Sequence, residues 1–238
     1  MLYSGQAIVL KRRAFKENDF LTTILSKEYG KIELVVKSGA KITSKLAGPL
    51  SGIHRIEFTA ARGRELDRIT FSSIVERFDS IESNWETRIR AIQIIEIIDR
   101  LISEKSADPE IYSQTLEALR ALNNLKNEKV GKLLVYRFLW LLLYKLGTGP
   151  EIKSCVNCKS NDNLSHFSFS HGGMLCADCR QKDSSAQNIP NAALAMLSSS
   201  KLSNGQTSAN DILLFIKIAR LWGEQHTHRP IKSLNFTQ

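Results

Sequence analysis

Hydrophobic and polar positions alternate along the first eighty residues of the chain, which is the pattern of β-strands. The strands that this pattern predicts lie within Gly5–Phe15, over Leu21–Ser26, over Lys31–Lys37, and within the stretches 53–63 and 64–79. Most connections are short, with a turn at Glu28–Gly30, and one long connection covers residues 38–52. Five short strands favour a small closed barrel, because closure leaves no unpaired strand edge. An OB barrel is the prediction, and an SH3-like barrel is the alternative.

After residue 83 the hydrophobic period becomes that of amphipathic helices. Three long helices and a later fourth are predicted, and a short one is expected around Ala192–Leu197. The residues expected to start or end the long helices are Asn84, Asp108, Pro109, Gly147 and Asp211. The longest apolar run, Leu133–Gly147, contains two basic residues and is shorter than a membrane span of about 20 residues, so it predicts a buried helix.

These changes of pattern predict an α+β protein with three parts. Residues 1–83 are expected to form the barrel, and residues 84–238 are expected to form a helical domain. A cysteine-rich module, residues 151–182, is expected to be inserted in the helical domain. No signal-peptide pattern is seen in the first residues, so a cytoplasmic protein is expected.

All four cysteines of the chain fall in one short stretch, as two Cys-x-x-Cys pairs. They are Cys155, Cys158, Cys176 and Cys179. Two intervening residues allow one tight turn to direct both thiolates at one ion, and two such turns complete a tetrahedral zinc site. The alternating segment 164–170 and a turn at 171–173 predict a zinc ribbon hairpin between the pairs. We expect one structural Zn²⁺ with no open position for catalysis.

Two other interpretations of the cysteines remain. A redox Cys-x-x-Cys pair would normally stand alone in a thioredoxin-like pattern, which the sequence lacks. His166 or His171 could replace one cysteine as a ligand, although four cysteines already suffice.

The chain carries a formal net charge of +9, which favours a polyanionic partner such as nucleic acid, a membrane surface or an acidic protein tail; a basic surface that only maintains solubility is the alternative. No acidic residue occurs between Glu33 and Glu57, and much of the basic charge lies in the predicted barrel. The candidate DNA-binding residues are Lys11, Arg12, Arg13, Lys16, Lys37, Lys41, Lys45, Arg55, Arg62 and Arg64. Such residues would follow a phosphate backbone by releasing counterions. Phe15, Phe20 and Tyr29 are candidates for base stacking, although a position in the core or at the end of the barrel is favoured for both phenylalanines.

Catalytic motifs are missing from the sequence. It contains neither a phosphate-binding P-loop nor a Gly-x-Ser-x-Gly elbow, and the histidines have no obvious carboxylate and nucleophile partners. A binding protein is therefore favoured over an enzyme.

Taken in order, several segments resemble the bacterial DNA repair and recombination protein RecO family. The N-terminal segment from "GQAIVLKRRAFKENDF" through "YGK" to "KITSKLAG" is similar, and so is "YRFLWLLLYKLG" followed by the two cysteine pairs. The closing "HTHRPIKSLNF" is similar to the family's H-x-R-x-x-K-S-x-x-F pattern.

The resemblance implies an OB-fold domain, a helical domain and a zinc module. It also implies binding of single- and double-stranded DNA and annealing of complementary strands. The implied partners are RecR, RecF, the C-terminal tail of single-strand-binding protein (SSB), and RecA, which is loaded onto coated strands. No membrane is implied, and a cytoplasmic, nucleoid-associated location is expected. Lys132 and Arg137 are weak candidates for the groove that holds the SSB tail, and Arg137 could equally extend from the core.

Two other function classes remain open. A zinc-ribbon nucleic-acid-binding factor of transcription or translation would share the cysteines and the charge, but it would not bind the SSB tail. An enzyme would require a deep pocket with convergent titratable groups.

Overall fold

The computed structural model describes residues 1–127, 129–198, 207–227 and 230–235. Internal contacts divide the chain into two compact units. The first unit is Met1–Phe138 with Thr227–Gln238, and the second is Leu139–His226. The division into three functional domains at the boundaries given above stays a prediction.

Five strands of the first unit form a closed barrel. They are β1 (Leu2–Phe15), β2 (Asp19–Ser26), β3 (Gly30–Val36), β4 (Arg55–Ala61) and β5 (Asp67–Glu76). The strand order is β1-β2-β3-β5-β4, and β1 is long enough to pair with both β2 and β4, which closes the barrel. β3 and β5 pair in parallel, with Leu34 opposite Asp67. The barrel is OB-like, and the predicted α+β fold is confirmed.

The barrel interior is apolar, and the outer surface of β2 is buried as well. Phe20 and Ile24 lie in the core, while Leu21 and Leu25, which alternate with them, are each 2% exposed. β2 is therefore covered on both faces. The helical part of the same unit reaches the neighbouring strands, since Asp99 contacts Lys11 of β1 at 2.7 Å and lies 3.7 Å from Lys31 of β3.

The connection between β3 and β4 is built from turns. Gly39 packs so tightly that a Cβ there would lie 2.4 Å from the Phe20 ring. Leu50, near the other end of the connection, is fully buried in the barrel core. The connection is thus attached at both ends, and its intervening lysines stay exposed.

Helices follow the barrel in the order that the sequence predicts, with one addition. They are α1 (Asp79–Ser83), α2 (Trp85–Leu101), α3 (Pro109–Asn123) and α4 (Lys129–Lys145). The short α1 was not predicted. Asn84 caps α2 by accepting from Thr87 N, and Asp108 caps α3 by accepting from Glu110 N and Ile111 N, as expected. Gly147, with φ +74°, follows the end of α4.

A short 3₁₀ turn, Lys232–Asn235, packs on α2 within the first unit. The Glu96 carboxylate accepts from Lys232 N at 3.1 Å and from Ser233 N at 2.9 Å. Gln93, which is fully buried, donates its side-chain amide to Ser233 O at 2.8 Å. We call these contacts the C-terminal clamp.

The substitution Glu96→Gln should destabilise the first unit by about 1–3 kcal/mol, because a backbone donor loses its charged acceptor. Burial raises the pKa of Glu96, but hydrogen bonds from Ser233 and Lys232 outweigh it, so the pKa is lowered from 4.5. A lowered folded-state pKa stabilises the protein above the unfolded value, and this stabilisation is lost as pH falls through the folded value. In urea unfolding at pH 7, E96Q should have a lower free energy of unfolding than the wild type. This difference should narrow below about pH 4. An equal difference in the free energy of unfolding at both pH values would contradict the proposed stabilisation by the C-terminal clamp.

The second unit combines helices with a small sheet. Its elements are the end of α4, β6 (Leu164–Ser168), β7 (Gly173–Cys176), β8 (Gln187–Asn188), α5 (Asn191–Ser198) and α6 (Ala209–Gln225). The expected short helix is α5. The expectation that Asp211 caps α6 is wrong: Ser208 is the N-cap, and the Asp211 carboxylate accepts a hydrogen bond from Ser208 N in a capping box. None of the described helices is both long and apolar enough to cross a bilayer.

Candidate metal centre and nucleic-acid surface

The two cysteine pairs meet in the second unit. Cys155 and Cys158 lie in the turn before β6, Cys176 ends β7, and Cys179 lies in the turn that follows. All four sulfur atoms lie within 4.8 Å of one another, and Cys158 Sγ is 3.7 Å from Cys176 Sγ. Zn–S bonds of about 2.3 Å in a tetrahedron place sulfur atoms about 3.8 Å apart. The geometry therefore fits a tetrahedral thiolate site.

Backbone hydrogen bonds hold the first cysteine pair in a tight loop. Cys155 N donates to Ser160 O at 2.7 Å, and Lys159 N donates to Cys155 O at 2.9 Å, with Lys159 at φ +64°. Asn157 also donates its side-chain amide to Cys179 Sγ at 3.2 Å, which links the two pairs. Such outer contacts fix the direction of metal-binding sulfur atoms.

The loop also favours a thiolate at the most buried position. Burial raises the pKa of Cys155, but the backbone N–H groups of Cys158, Cys176 and Asn157 outweigh it and lower the pKa to about 6. Because metals bind the deprotonated sulfur, this environment suits a metal ligand.

The two nearby histidines have other contacts. His166 Nδ1 lies 2.9 Å from Ser165 Oγ, and His171 Nδ1 lies 3.0 Å from both Ser168 Oγ and Ser170 Oγ. Among the residues that the structure describes, the only group of this kind placed to hold a metal consists of the four cysteines.

The ribbon hairpin has the predicted alternation and one extra strand. Phe167 is fully buried with its ring 5.0 Å from that of Phe169, while Ser168 donates to Asp183. β8 pairs with the other edge of β6, a strand that the sequence pattern does not predict.

One end of the barrel carries exposed basic residues without acidic partners in the described chain. The β3–β4 connection meets the β1–β2 turn there, because Ala40 N donates to Asn18 O at 3.0 Å. Arg12 also reaches this end. Its guanidinium lies 3.8 Å from the centroid of the Phe20 ring, and the same ring packs closely against Gly39. We call Arg12, Lys16, Lys37 and Lys41 the basic end of the barrel; Lys45 lies exposed further along the same connection.

Four other predicted DNA-binding residues are engaged with carboxylates. The ion pairs are Lys11–Asp99 at 2.7 Å, Arg13–Glu33 at 2.8 Å, Arg55–Glu76 at 3.5 Å and Arg62–Asp67 at 3.0 Å. Arg55 also donates to Gln6 Oε1 at 2.8 Å and is half-buried. Their charge is partly neutralised, so they are weaker candidates for phosphate contact.

Arg62 and Arg64 belong to a different part of the barrel. Arg62 lies 4.4 Å above the Tyr3 ring, and Tyr3 contacts Tyr29 at 4.8 Å between ring centroids. Tyr29 lies in the β2–β3 turn, at the opposite end of β2 from the β1–β2 turn. Arg64 is exposed in the β4–β5 connection that begins at Arg62. The structure therefore does not gather all ten candidates on one surface.

The aromatic side chains considered for base stacking are largely engaged in contacts within the barrel. Phe20 is 1% exposed in the barrel core, which confirms the favoured core interpretation and leaves its ring closed to base stacking. Tyr29 packs against Tyr3 and Phe58, and Phe15 lies half-buried beneath Lys16.

The two weak candidates for partner binding lie on α4. Lys132 is half-buried. Arg137 is 6% exposed, and burial lowers the pKa of its guanidinium, which favours the core alternative. Neither side chain forms an exposed basic surface.

Comparison with known proteins gives matches along the chain. A family model described as "Recombination protein O N terminal" matches residues 1–78, and one described as "Recombination protein O C terminal" matches residues 83–235. A "DNA repair protein RecO" from Syntrophomonas wolfei is 30% identical over 83% of this chain and 78% of its own length. A protein with the same description from Desulforudis audaxviator is 31% identical over 82% of this chain and 77% of its own length.

Proposed function

Since the chain belongs to the RecO family of DNA repair proteins, we propose that it is a mediator of DNA repair and homologous recombination. It binds single- and double-stranded DNA, anneals complementary strands and helps to load RecA onto strands coated by SSB. It performs these steps by binding and catalyses no bond cleavage.

The observation that carries this proposal is the basic end of the barrel. Arg12, Lys16, Lys37 and Lys41 are exposed there, and the described chain pairs none of them with a carboxylate. Exposed cations of this kind bind phosphates by releasing counterions, independently of base sequence.

Annealing follows from the same charge. Two complementary strands repel each other through their phosphates, and the repulsion falls when cations of one protein lie between them. The bases then meet at a higher local concentration and pair. No fuel is required, because the final duplex is more stable than the separate strands.

The proposed partners come from the family. RecR, RecF and RecA act in the same pathway, and the acidic tail of SSB docks on the helical part of the chain. The buried position of Arg137 argues against that side chain as the docking point. The proposed location is the cytoplasm, at the nucleoid.

The four-cysteine cluster could hold a metal ion, and we propose Zn²⁺ in a structural role. Four thiolates would complete its coordination, so the ion would stabilise the ribbon without reacting.

An annealing assay tests the proposal. Two complementary oligonucleotides carrying a donor and an acceptor fluorophore are each coated with SSB and then mixed with the chain. We expect annealing to be accelerated at low salt and the acceleration to fade as salt rises. Unchanged annealing at every salt concentration, with no shift in DNA anisotropy, would reject the function.

A further inference from the structure

A groove borders the basic end of the barrel inside the first unit. Its volume is about 420 Å³, within the range of about 300–1,000 Å³ that is usual for sites of small ligands. Three parts of the chain line it: residues 9–12 of β1, the segment Leu50–Ile53 of the β3–β4 connection, and the helices α1 and α2.

An irregularity in β1 shapes one wall of the groove. Val9 pairs with Ile24 of β2, but Lys11 pairs with Thr23, so Leu10 is an extra residue and forms a β-bulge. A bulge bends its strand and redirects the side chains that follow. Here it separates the inward-facing Val9 from the basic residues Lys11 and Arg12.

The groove combines an apolar floor with a basic rim. Leu10, Leu50 and Ile81 are buried, while Ile92 of α2 is 42% exposed at the edge. Arg12 and Arg88 supply rim charges that the described chain leaves without a carboxylate partner.

Lys11, which also lines the rim, is held by Asp99 at 2.7 Å. Glu82 lies 3.2 Å from His54 Nε2, but burial lowers the pKa of His54, so this contact does not neutralise Glu82 near pH 7. Arg12 and Arg88 outnumber that one carboxylate, so the groove is net positive.

We propose that this groove accepts one unpaired nucleotide of a bound single strand, with its phosphate near Arg12 and Arg88 and its base on the apolar floor. The inference rests on the proposed function and adds a preference for single strands. A base inside a duplex would have to leave its stack before it could enter, at a cost of a few kcal/mol.

The continuity of basic charge between the β3–β4 connection and the groove favours nucleic acid over an acidic peptide as the ligand. Leu50–Ile53 belong to the same connection that carries Lys37, Lys41 and Lys45, and no acidic residue interrupts residues 34–56. No carboxylate of this connection would therefore repel a strand that runs from these lysines to the groove.

The test compares Arg88→Glu with the matched control Lys126→Glu, which makes the same charge change at an exposed residue that does not line the groove. Anisotropy is measured with a labelled single strand and with a duplex of equal length. We expect R88E to weaken single-strand binding by about tenfold and duplex binding by less than about twofold, while K126E changes neither by more than about twofold.

A second variant separates the base from the phosphate. A single strand containing 2-aminopurine should become brighter when its base leaves the stack to enter the groove, and Ile92→Glu should remove this increase. Circular dichroism confirms that each variant is folded.

Three results would overturn the inference. They are equal losses for single strand and duplex in R88E, unchanged 2-aminopurine emission with the wild-type chain, and an aspartate-rich peptide that binds the groove without being displaced by single strands. In each case the proposed function would stand if the wild-type chain still binds and anneals DNA. Failure of the wild-type chain to bind any DNA would instead reject the function.

Discussion

The triple variant Lys37→Glu/Lys41→Glu/Lys45→Glu should bind single-stranded DNA about 100-fold or more weakly than the wild-type chain near 0.15 M salt. Each lysine is exposed on the connection between β3 and β4. If each meets one phosphate, three contacts disappear, and the negative charges that replace them repel the strand. Annealing of complementary strands should slow with the loss of binding.

The salt series gives the second readout of this variant. Each phosphate contact on a single strand contributes about 0.7 to the slope of log affinity against log salt, so three lost contacts lower the slope by about 2. Lys126→Glu/Lys153→Glu/Lys217→Glu makes the same charge change at three other exposed lysines and serves as the matched control. Equal behaviour of the two triple variants would show that only net charge matters and that this connection is not a DNA-binding site.

Replacement of Cys155 or Cys176 by serine should abolish stable metal binding and unfold the ribbon. Both cysteines are buried beside Leu175 in a small cluster, which offers little apolar area to stabilise the fold alone. In small zinc modules the ion supplies about 10–16 kcal/mol of apparent binding free energy, and this is also folding free energy. Atomic emission should find one zinc ion per wild-type chain and far less in either variant.

The histidines provide controls for the same experiment. His166→Ala and His171→Ala should keep the full zinc content, because both side chains contact serine hydroxyls outside the cysteine cluster. Limited proteolysis should cut the serine variants, and the wild-type chain treated with a chelator, within residues 151–182. Full zinc content in a cysteine variant, or loss of zinc in a histidine variant, would mean that the ligand set is different.

Local signals in the sequence predicted much of the fold. Asn84 and Asp108 cap the helices that they were expected to start. Such caps can be predicted from sequence because a capping side chain acts on backbone groups only two or three residues away. The spacing of the cysteines likewise predicted their convergence, because two tight turns and one hairpin involve only near neighbours in sequence.

Features that depend on distant residues were harder to predict. The segment "FLTTILS" of β2 contains no charged residue, which is compatible with a strand buried on both faces, yet nothing local identifies α2 as the neighbour of β1. For the same reason the acidic partners of Lys11 and Arg13 could not be read from the sequence. Arg88 was missed because a basic residue on an exposed helix face is common, and only the β1 bulge and Leu50–Ile53 make it part of a groove.

The C-terminal clamp has a consequence for biosynthesis. Lys232 lies 136 residues after Glu96, its partner on α2. At translation rates of about 5–20 residues per second, the ribosome needs roughly 7–27 s to add the segment that separates them. During that interval the nascent chain exposes the Glu96 and Gln93 side chains, and the first unit cannot complete its packing while it is being synthesised. A nonsense mutation anywhere between these residues would therefore remove the clamp from the first unit even when all five barrel strands have been made, and we expect such a chain to become a substrate for chaperones and proteases.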